Sequence, residues 1–129
     1  MKTFETDTWS INLPDDWEEE HDDEGVTLFN PDGSGALEIS AVERDEVIDD
    51  GFLEDMASEH LESGAEPNEV EFGDFEGLEF SYGDDDNYWR EWYLRADNLM
   101  LYVTYHCPLE DEGREDDEVE AILETLELL

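Results

Sequence analysis

Residues 88–107 read YWREWYLRADNLMLYVTYHC, and this stretch decides the fold. Two apolar segments flank Asp97 and Asn98, a pattern that predicts a β-hairpin with a two-residue turn. Such a turn sets the register and places position 94 opposite 101, 92 opposite 103 and 90 opposite 105 on one face. On the other face it places 95 opposite 100, 93 opposite 102, 91 opposite 104 and 89 opposite 106. Because both faces carry large side chains, we expect inner strands that are covered, at least in part, on both sides.

Alternating apolar residues predict five more strands before this hairpin. They centre on residues 9–13, 26–30, 37–41, 70–72 and 78–82, the first ending at Pro14 and the last two joined near residues 75–77. The second and third strands form a hairpin across the turn sequence PDGSG at residues 31–35. Residues 15–24 hold eight acids in ten positions around Trp17 and His21, which is typical of a solvated loop.

Two segments show the spacing of an amphipathic helix. The first follows Asp49 and Asp50, whose carboxylates suit a helix N-terminus, and it ends near Gly64. Its apolar stripe consists of Leu53, Met56, Ala57, His60 and Leu61. The second helix is predicted from about residue 116 to residue 128, with the stripe Val119, Ile122, Leu123 and Leu126.

The predicted order of elements is therefore β-β-β-α-β-β-β-β-α. We interpret it as an α+β fold, in which an antiparallel sheet of about six or seven strands carries helices on both faces. This three-layer α/β/α sandwich would cover both sides of the last hairpin. The chain shows no internal repeat or flexible linker, so residues 1–129 are expected to form one domain.

This order of elements resembles the PsbP-like superfamily, which includes the photosystem II protein PsbP and a Ran-binding nuclear-transport factor. The resemblance rests on the strand that ends at Pro14 before Asp16 and Trp17, on the Pro31-containing hairpin, and on the helix, four-strand meander and final helix that follow. The segments YWREW at 88–92 and VTYHC at 103–107 are the parts that match most directly. The resemblance is greatest to the uncharacterised prokaryotic domains of the superfamily, and it implies a non-enzymatic binding or accessory role. No functional residue carries over.

The charge balance indicates a protein adapted to a very salty cytoplasm. The chain has 42 acidic and five basic residues, a formal net charge of −37, and Lys2 is its only lysine. At 1 M salt the Debye length is about 3 Å, so most repulsion between surface carboxylates is screened. We expect monovalent salt cations at this surface. Nucleic acids and anionic membranes are poor partners, because the sequence offers no basic patch.

Cysteine usage and the N-terminal sequence suggest the compartment. Cys107 is the only cysteine, which excludes an intramolecular disulfide. The sequence MKTFE at the start lacks an apolar signal segment, and no stretch approaches the length of a membrane span. These features favour a cytoplasmic location.

Metal, cofactor and catalytic motifs are not evident. His21, His60 and His106 are far apart and fit no zinc spacing with Cys107, so no metal or cofactor is predicted. We interpret His60 as a half-buried structural histidine and Cys107 as a small core residue. Residues 84–87 lack the spacing of a calcium loop and are typical of a hairpin turn. The absence of a catalytic pattern favours a protein that is not an enzyme.

The remaining candidate site is one face of the last hairpin. Trp, Tyr and Arg are enriched at binding hot spots. The candidate binding surface comprises Trp89, Tyr93, Arg95, Tyr102 and His106. The alternative is that these residues form core contacts, cation–π stacks and ion pairs.

Three functions remain open from the sequence. The first is a small protein-binding or accessory module that acts through this surface on an unidentified protein partner. The second is a small-ligand carrier or enzyme with a pocket between a helix and the sheet, to which His106 and Arg95 would contribute. The third is a structural subunit of a homodimer.

Overall fold

The computed structural model describes residues 2–21, 23 and 25–129. Within them the chain is rich in strands and contains three short α-helices and one 3-10 turn, Leu109–Asp111. The strands are β1 (Lys2–Glu5), β2 (Trp9–Leu13), β3 (Glu18–His21), β4 (Val26–Phe29), β5 (Ala36–Glu43), β6 (Asn68–Phe72), β7 (Phe75–Gly83), β8 (Asn87–Ala96), β9 (Leu99–Pro108) and β10 (Glu127–Leu128). The helices are α1 (Asp50–Met56), α2 (Ser58–Glu62) and α3 (Asp116–Leu123).

The strands form two antiparallel sheets. Seven strands pair in the order β3-β4-β5-β9-β8-β7-β6, and three pair in the order β1-β2-β10. The predicted α+β class with an antiparallel sheet of about six or seven strands is confirmed. The first predicted strand, β2, lies in the smaller sheet, and β3, which was not predicted, is the seventh strand of the large one. The three-stranded sheet was not part of the predicted architecture. Its strand β1 has a single apolar residue, Phe4, and so shows no alternation, and β10 has two residues that pair with a distant part of the chain.

The last hairpin has the predicted register. Tyr93 lies opposite Tyr102, Trp92 opposite Val103, and Trp89 opposite His106. Asp97 at the turn has φ of 50°, the left-handed conformation that such turns need. Both strands are inner strands of the large sheet, since β5 flanks β9 and β7 flanks β8.

Each face of the large sheet has its own apolar cluster. Trp92, Leu94 and Val103 mark what we call the α3 face, whose cluster also includes residues of β2 and α3. Tyr93 and Met100 point the opposite way, as strand periodicity requires, and mark the groove face. The cluster on the groove face includes apolar side chains of α1 and the α1–α2 junction.

The structure of the acidic segment before β4 differs from the sequence prediction. Residues 18–21 form a strand that pairs with β4, although a solvated loop was predicted for residues 15–24. All four side chains of β3 are exposed, so only backbone pairing defines the strand. Trp17 just before it is fully buried, and its Nε1 donates to Glu118 at 3.1 Å. Residues 22 and 24 lie outside the described part of the chain.

The boundaries of the first helical segment and of the following turn also differ from the prediction. The single helix predicted after Asp49 is two short helices interrupted at Ala57, and Met56 is 45% exposed. The predicted cap is confirmed, since Asp49 accepts from the backbone N–H of Phe52 at 2.9 Å. The turn before β7 falls at Gly73, whose φ is 61°, and not at residues 75–77, which belong to the strand.

The last helix is shorter than the sequence predicts. It ends at Leu123 and not near residue 128, because the chain then pairs with β2 as β10. The hydroxyl of Thr125 accepts from the backbone N–H of Asn12 at 2.9 Å at this point. All four residues of the predicted stripe are nevertheless buried. Among the helices of residues 2–21, 23 and 25–129, none combines the length and hydropathy that crossing a bilayer requires.

A buried arginine ties α3 to the large sheet. Arg90 is 5% exposed and donates to Glu79 on β7, with Nε lying 3.0 Å from the carboxylate. Its terminal nitrogens lie 3.4 Å from Asp116 and 3.2 Å from Glu120 on α3. The guanidinium carbon also lies 4.8 Å from the centroid of the Trp92 ring. One cation therefore offsets carboxylates of two elements and packs on the core.

We expect Arg90→Met to lower the free energy of unfolding by about 3–5 kcal/mol, because the carboxylate of Glu79, whose side chain is only 13% exposed, would lose its cation. Arg114→Met is the matched control. Arg114 is 71% exposed and pairs only with Asp111 of its own turn, so we expect a loss below about 1 kcal/mol. Urea denaturation in molar KCl measures both changes. Equal effects of the two substitutions would contradict the buried clamp.

Candidate functional site

The helices cover only part of the groove face. The half nearest α1 and α2 carries Phe80, Tyr93 and Met100, which are buried with the helical side chains. The other half carries a depression of about 430 Å³ that is open to solvent. We call it the open groove and define it by Thr27, Glu38, Ser40, Trp89, Tyr102 and Thr104.

Strand pairing explains why these residues meet. Glu38 lies opposite Thr27 on β4 and opposite Thr104 on β9. Ser40 lies opposite Tyr102 in the next row along the strands. Because directly opposed residues share a face, four neighbouring strands contribute polar and aromatic groups to one surface.

A buried carboxylate lies beside the groove and fixes one of its walls. Glu91 is 6% exposed and accepts hydrogen bonds from the hydroxyls of Tyr102 and Tyr82, the latter at 2.5 Å. Nε2 of His60 on α2 lies 3.2 Å from the same carboxylate. The imidazole also stacks on Phe80, with ring centroids 4.6 Å apart. We call Glu91, Tyr82, Tyr102 and His60 the Glu91 cluster.

The Glu91 cluster changes the acidity of its tyrosines. Burial, and then the hydrogen bond to Glu91, raises the pKa of Tyr102 and of Tyr82 far above the usual range. Burial, followed by the charge of Glu91, raises the pKa of Tyr93 to about 12. Tyr82 and Tyr102 therefore keep their protons, and their hydrogen bonds to the carboxylate, to a higher pH than an ordinary tyrosine would.

Trp89 forms the other wall as the middle member of an aromatic row. Its ring is stacked with His106 at a centroid distance of 4.8 Å and with Tyr82 at 6.5 Å. The indole N–H donates to Asp84 at 3.3 Å. Asp84 also accepts from two backbone N–H groups of its own loop, which agrees with the hairpin turn predicted there. These contacts hold Trp89 in one orientation.

The structure divides the predicted binding surface into three parts. Trp89 and Tyr102 line the open groove, and His106 is half-buried behind Trp89. Tyr93 is 6% exposed and packs beneath the helices, with its ring 5.1 Å from that of Tyr102. Arg95 lies farther along the face, away from the groove.

Arg95 anchors α1. Its guanidinium lies 2.9 Å from Asp50 in the first turn of that helix and 2.8 Å from Glu76 on β7. It also donates to the backbone carbonyl of Ile48 at 3.5 Å. Ion pairing with nearby acids, the structural alternative for this residue, matches these contacts.

The sequence interpretation missed the groups that organise the site. It placed Glu91 opposite Thr104 on the correct face, but it did not predict the hydrogen bonds that Tyr82 and Tyr102 donate to this carboxylate. It treated His60 as a structural histidine, which agrees with the contact to Glu91 and with the stacking on Phe80. Glu38 was missed, because single exposed acids carry little signal in a chain with 42 of them.

Metal binding and thiol chemistry were the remaining possibilities at the described residues. No group of three or more His, Cys, Asp and Glu side chains in residues 2–21, 23 and 25–129 is placed to hold a metal ion. Cys107 is free and 1% exposed, and burial raises the pKa of its thiol. A raised pKa lowers the thiolate fraction on which nucleophilic chemistry depends.

Comparisons with known proteins show the fold and no more. No family description matches this chain, and no curated protein matches it. A protein of known crystal structure from Bacteroides thetaiotaomicron superposes with a TM-score of 0.69 at 21% identity, over 94% of this chain and 45% of that one. LpqN of Mycobacterium tuberculosis, involved in cell envelope biogenesis, superposes with a TM-score of 0.62 at 15% identity, over 93% of this chain and 82% of its own. The chain thus spans less than half the length of the Bacteroides protein.

We expect the tyrosines of the folded protein to ionise well above pH 10. Burial, as the largest cause, raises the pKa of all five tyrosines from the ordinary value of 10.0. Because the folded-state values exceed the unfolded ones, the neutral phenols stabilise the fold below pH 10, and this contribution is lost as the pH rises through the folded-state values. Ultraviolet titration of tyrosinate in molar KCl, followed together with circular dichroism, measures the effect. A urea-unfolded sample is the control, and a native curve that coincides with it would contradict the Glu91 cluster.

Proposed function

We propose that this protein is a non-enzymatic protein-binding or accessory module that acts through the open groove. One observation carries the proposal: Trp89 and Tyr102, both half-buried, flank an open depression of about 430 Å³. Trp and Tyr are over-represented among residues that dominate binding energy, and they do so in pockets that exclude water on contact.

The rigidity of the two walls supports this function. Tyr102 is held by Glu91 and by the ring of Tyr93, and Trp89 is held by its stack with His106. Side chains that are already fixed lose little rotamer freedom when a partner binds, which preserves more of the contact energy as affinity. A cluster that served only the core would not leave these two rings at the surface.

We also propose how the helices and the sheet are layered, which superfamily the fold belongs to, and in which compartment the protein works. We infer a three-layer arrangement, supported by apolar clusters that join α3 to one face and the α1–α2 segment to the other. We further propose that the fold is PsbP-like, which is supported by the order of hairpin, helical segment, four strands and final helix. The net charge of −37 supports a cytoplasm rich in salt, with monovalent cations at the surface.

A small-ligand carrier or enzyme is the second candidate. A cavity of about 450 Å³ between α1 and the sheet favours it, since it lies where such a pocket was expected. Its walls include Arg95, Asp50, Glu69 and Glu71, so acids outnumber the one base. His106 lies three rows away along the strands and does not converge with Arg95 there. The open groove has the stronger case, because aromatic side chains line it.

Affinity capture in molar KCl with groove variants tests the protein-binding function. Thr27→Lys places a long side chain in the floor of the groove, and Thr3→Lys on exposed β1 makes the same chemical change elsewhere. We expect one protein to be recovered near stoichiometry with the wild type and with Thr3→Lys, and to be lost with Thr27→Lys. Recovery that is unchanged by Thr27→Lys, or no stoichiometric partner for the wild type, would contradict the proposal.

Adaptation to salt predicts unfolding on dilution. The Debye length grows from about 3 Å at 1 M to about 10 Å at 0.1 M, so repulsion among the surface carboxylates then opposes the compact state. We expect the circular dichroism of the folded protein in molar KCl to be lost cooperatively near 0.1 M. Sucrose at equal osmolality is the control and should not restore it fully. A fold that persists in dilute buffer would count against this part of the proposal.

A further inference from the structure

We propose that the open groove receives an arginine side chain carried on an extended segment of the protein partner. This inference rests on the proposed function and specifies the chemistry of its partner. It follows from the charge of the groove floor, from the aromatic walls, and from the row of hydroxyl groups between them.

The floor of the groove offers a carboxylate that lacks a cation. Glu38 is exposed and forms no ion pair within residues 2–21, 23 and 25–129. The arginines of the chain are engaged elsewhere. Arg90, Arg95 and Arg114 pair with acids outside the groove, and Arg44 lies 4.6 Å from the Phe52 ring. Lys2 on β1 lies beside Glu18, Glu19 and Glu20. No lysine or arginine within residues 2–21, 23 and 25–129 therefore pairs with Glu38, which leaves this carboxylate available to a cation from another molecule or from the salt.

The walls favour an organic cation over a hydrated salt ion. The faces of Trp and Tyr rings attract cations, and more strongly when water is excluded. Guanidinium is planar, weakly hydrated and able to stack on such rings, whereas an ammonium group is compact and strongly hydrated. The ring of Trp89 is stacked between those of His106 and Tyr82. Tyr102, which lines the groove one row along the strands from Glu38, is therefore the ring whose face a guanidinium group bound to Glu38 can contact.

Hydroxyl groups around Glu38 offer hydrogen-bond acceptors for the rest of the arginine side chain. Thr27, Ser40 and Thr104 surround Glu38 on three adjacent strands. Each hydroxyl oxygen accepts hydrogen bonds, and guanidinium carries five N–H donors in a fixed plane. The volume of about 430 Å³ exceeds one side chain, which leaves room for neighbouring residues of an extended segment.

Molar salt does not remove this attraction. With a Debye length of about 3 Å at 1 M, charges at long range are screened, but groups in direct contact are not. The net charge of −37 therefore matters little for long-range steering in such a solvent, and recognition depends on contacts inside the groove. A planar cation that combines stacking, hydrogen bonds and ion pairing suits this condition.

Tryptophan signals provide a direct readout of binding. The chain has four tryptophans, of which Trp9, Trp17 and Trp92 are 3%, 0% and 0% exposed. The indole N–H resonance of Trp89, assigned with Trp89→Phe, therefore reports on the groove. The probe is the peptide acetyl-Thr-Thr-Arg-Thr-Thr-amide in molar KCl, and the matched control peptide carries citrulline in place of arginine.

We expect saturable shifts of the Trp89 resonance with the arginine peptide and binding weaker by fivefold or more with the citrulline peptide. Glu38→Gln should weaken binding of the arginine peptide by about five- to tenfold, because a neutral amide replaces the carboxylate and its hydrogen bond to guanidinium loses the assistance of charge. Glu46→Gln, an equal charge change in the exposed loop after β5, should leave affinity unchanged. Circular dichroism in KCl verifies that each variant is folded.

Three outcomes would overturn the inference. They are equal binding of the citrulline peptide, no shift with either peptide, and binding of methylguanidinium alone as tightly as the arginine peptide. The last would indicate a small-cation site and no protein segment. If capture still yields a partner that Thr27→Lys abolishes, only the arginine occupant fails. If capture also fails, the protein-binding function fails with it.

Discussion

Ten residue pairs join β8 to β9, from Asn87 opposite Pro108 to Ala96 opposite Leu99, and the other elements take their positions from this ladder. It lies in the interior of the large sheet, with β5 on one side and β7 on the other. The turn at Asp97 and Asn98 also accepts hydrogen bonds from the loop that leads to α1, through the backbone N–H groups of Ile48 and Arg44. A slip of one residue would exchange the two faces, bringing Trp92 to the groove and Tyr93 to the α3 face.

Two adjacent residues of β8 show how this register distributes charge. Arg90 and Glu91 are neighbours of opposite sign, yet strand alternation directs them to opposite faces, and both are nearly buried. Arg90 joins the sheet to α3 through acids, whereas Glu91 joins it to α2 through His60 and two tyrosines. The partners of Arg90 thus come from two elements, β7 and α3, and those of Glu91 from three, β7, β9 and α2. Such arrangements define relative positions more strictly than apolar contact, because removing any partner leaves a costly unsatisfied group.

The sequence predicts what is local and misses what is distant. The register of the last hairpin follows from one turn, and the buried stripe of α3 follows from residue spacing. In contrast, β10 pairs with β2 across more than a hundred residues, and the ladder between β5 and β9 joins distant segments. No local pattern specifies either pairing. The groove arises from the second of these ladders, so its aromatic walls were predicted while its floor at Glu38 was not.

The two edge strands of the large sheet are acidic, which affects whether copies of the protein associate edge to edge. An exposed sheet edge is a template onto which another chain can add, and charged residues on the edge oppose this. Here β3 presents Glu18, Glu19 and Glu20 at one edge, and β6 presents Glu69 and Glu71 at the other. Two such edges that approach each other would align carboxylates about 5 Å apart, the spacing of a β-ladder. This distance exceeds the Debye length of about 3 Å at 1 M salt, so the opposition to edge pairing there comes mainly from the cost of removing hydrated carboxylates from water. The acidic edges therefore oppose polymerisation through the sheets even where salt suppresses charge repulsion.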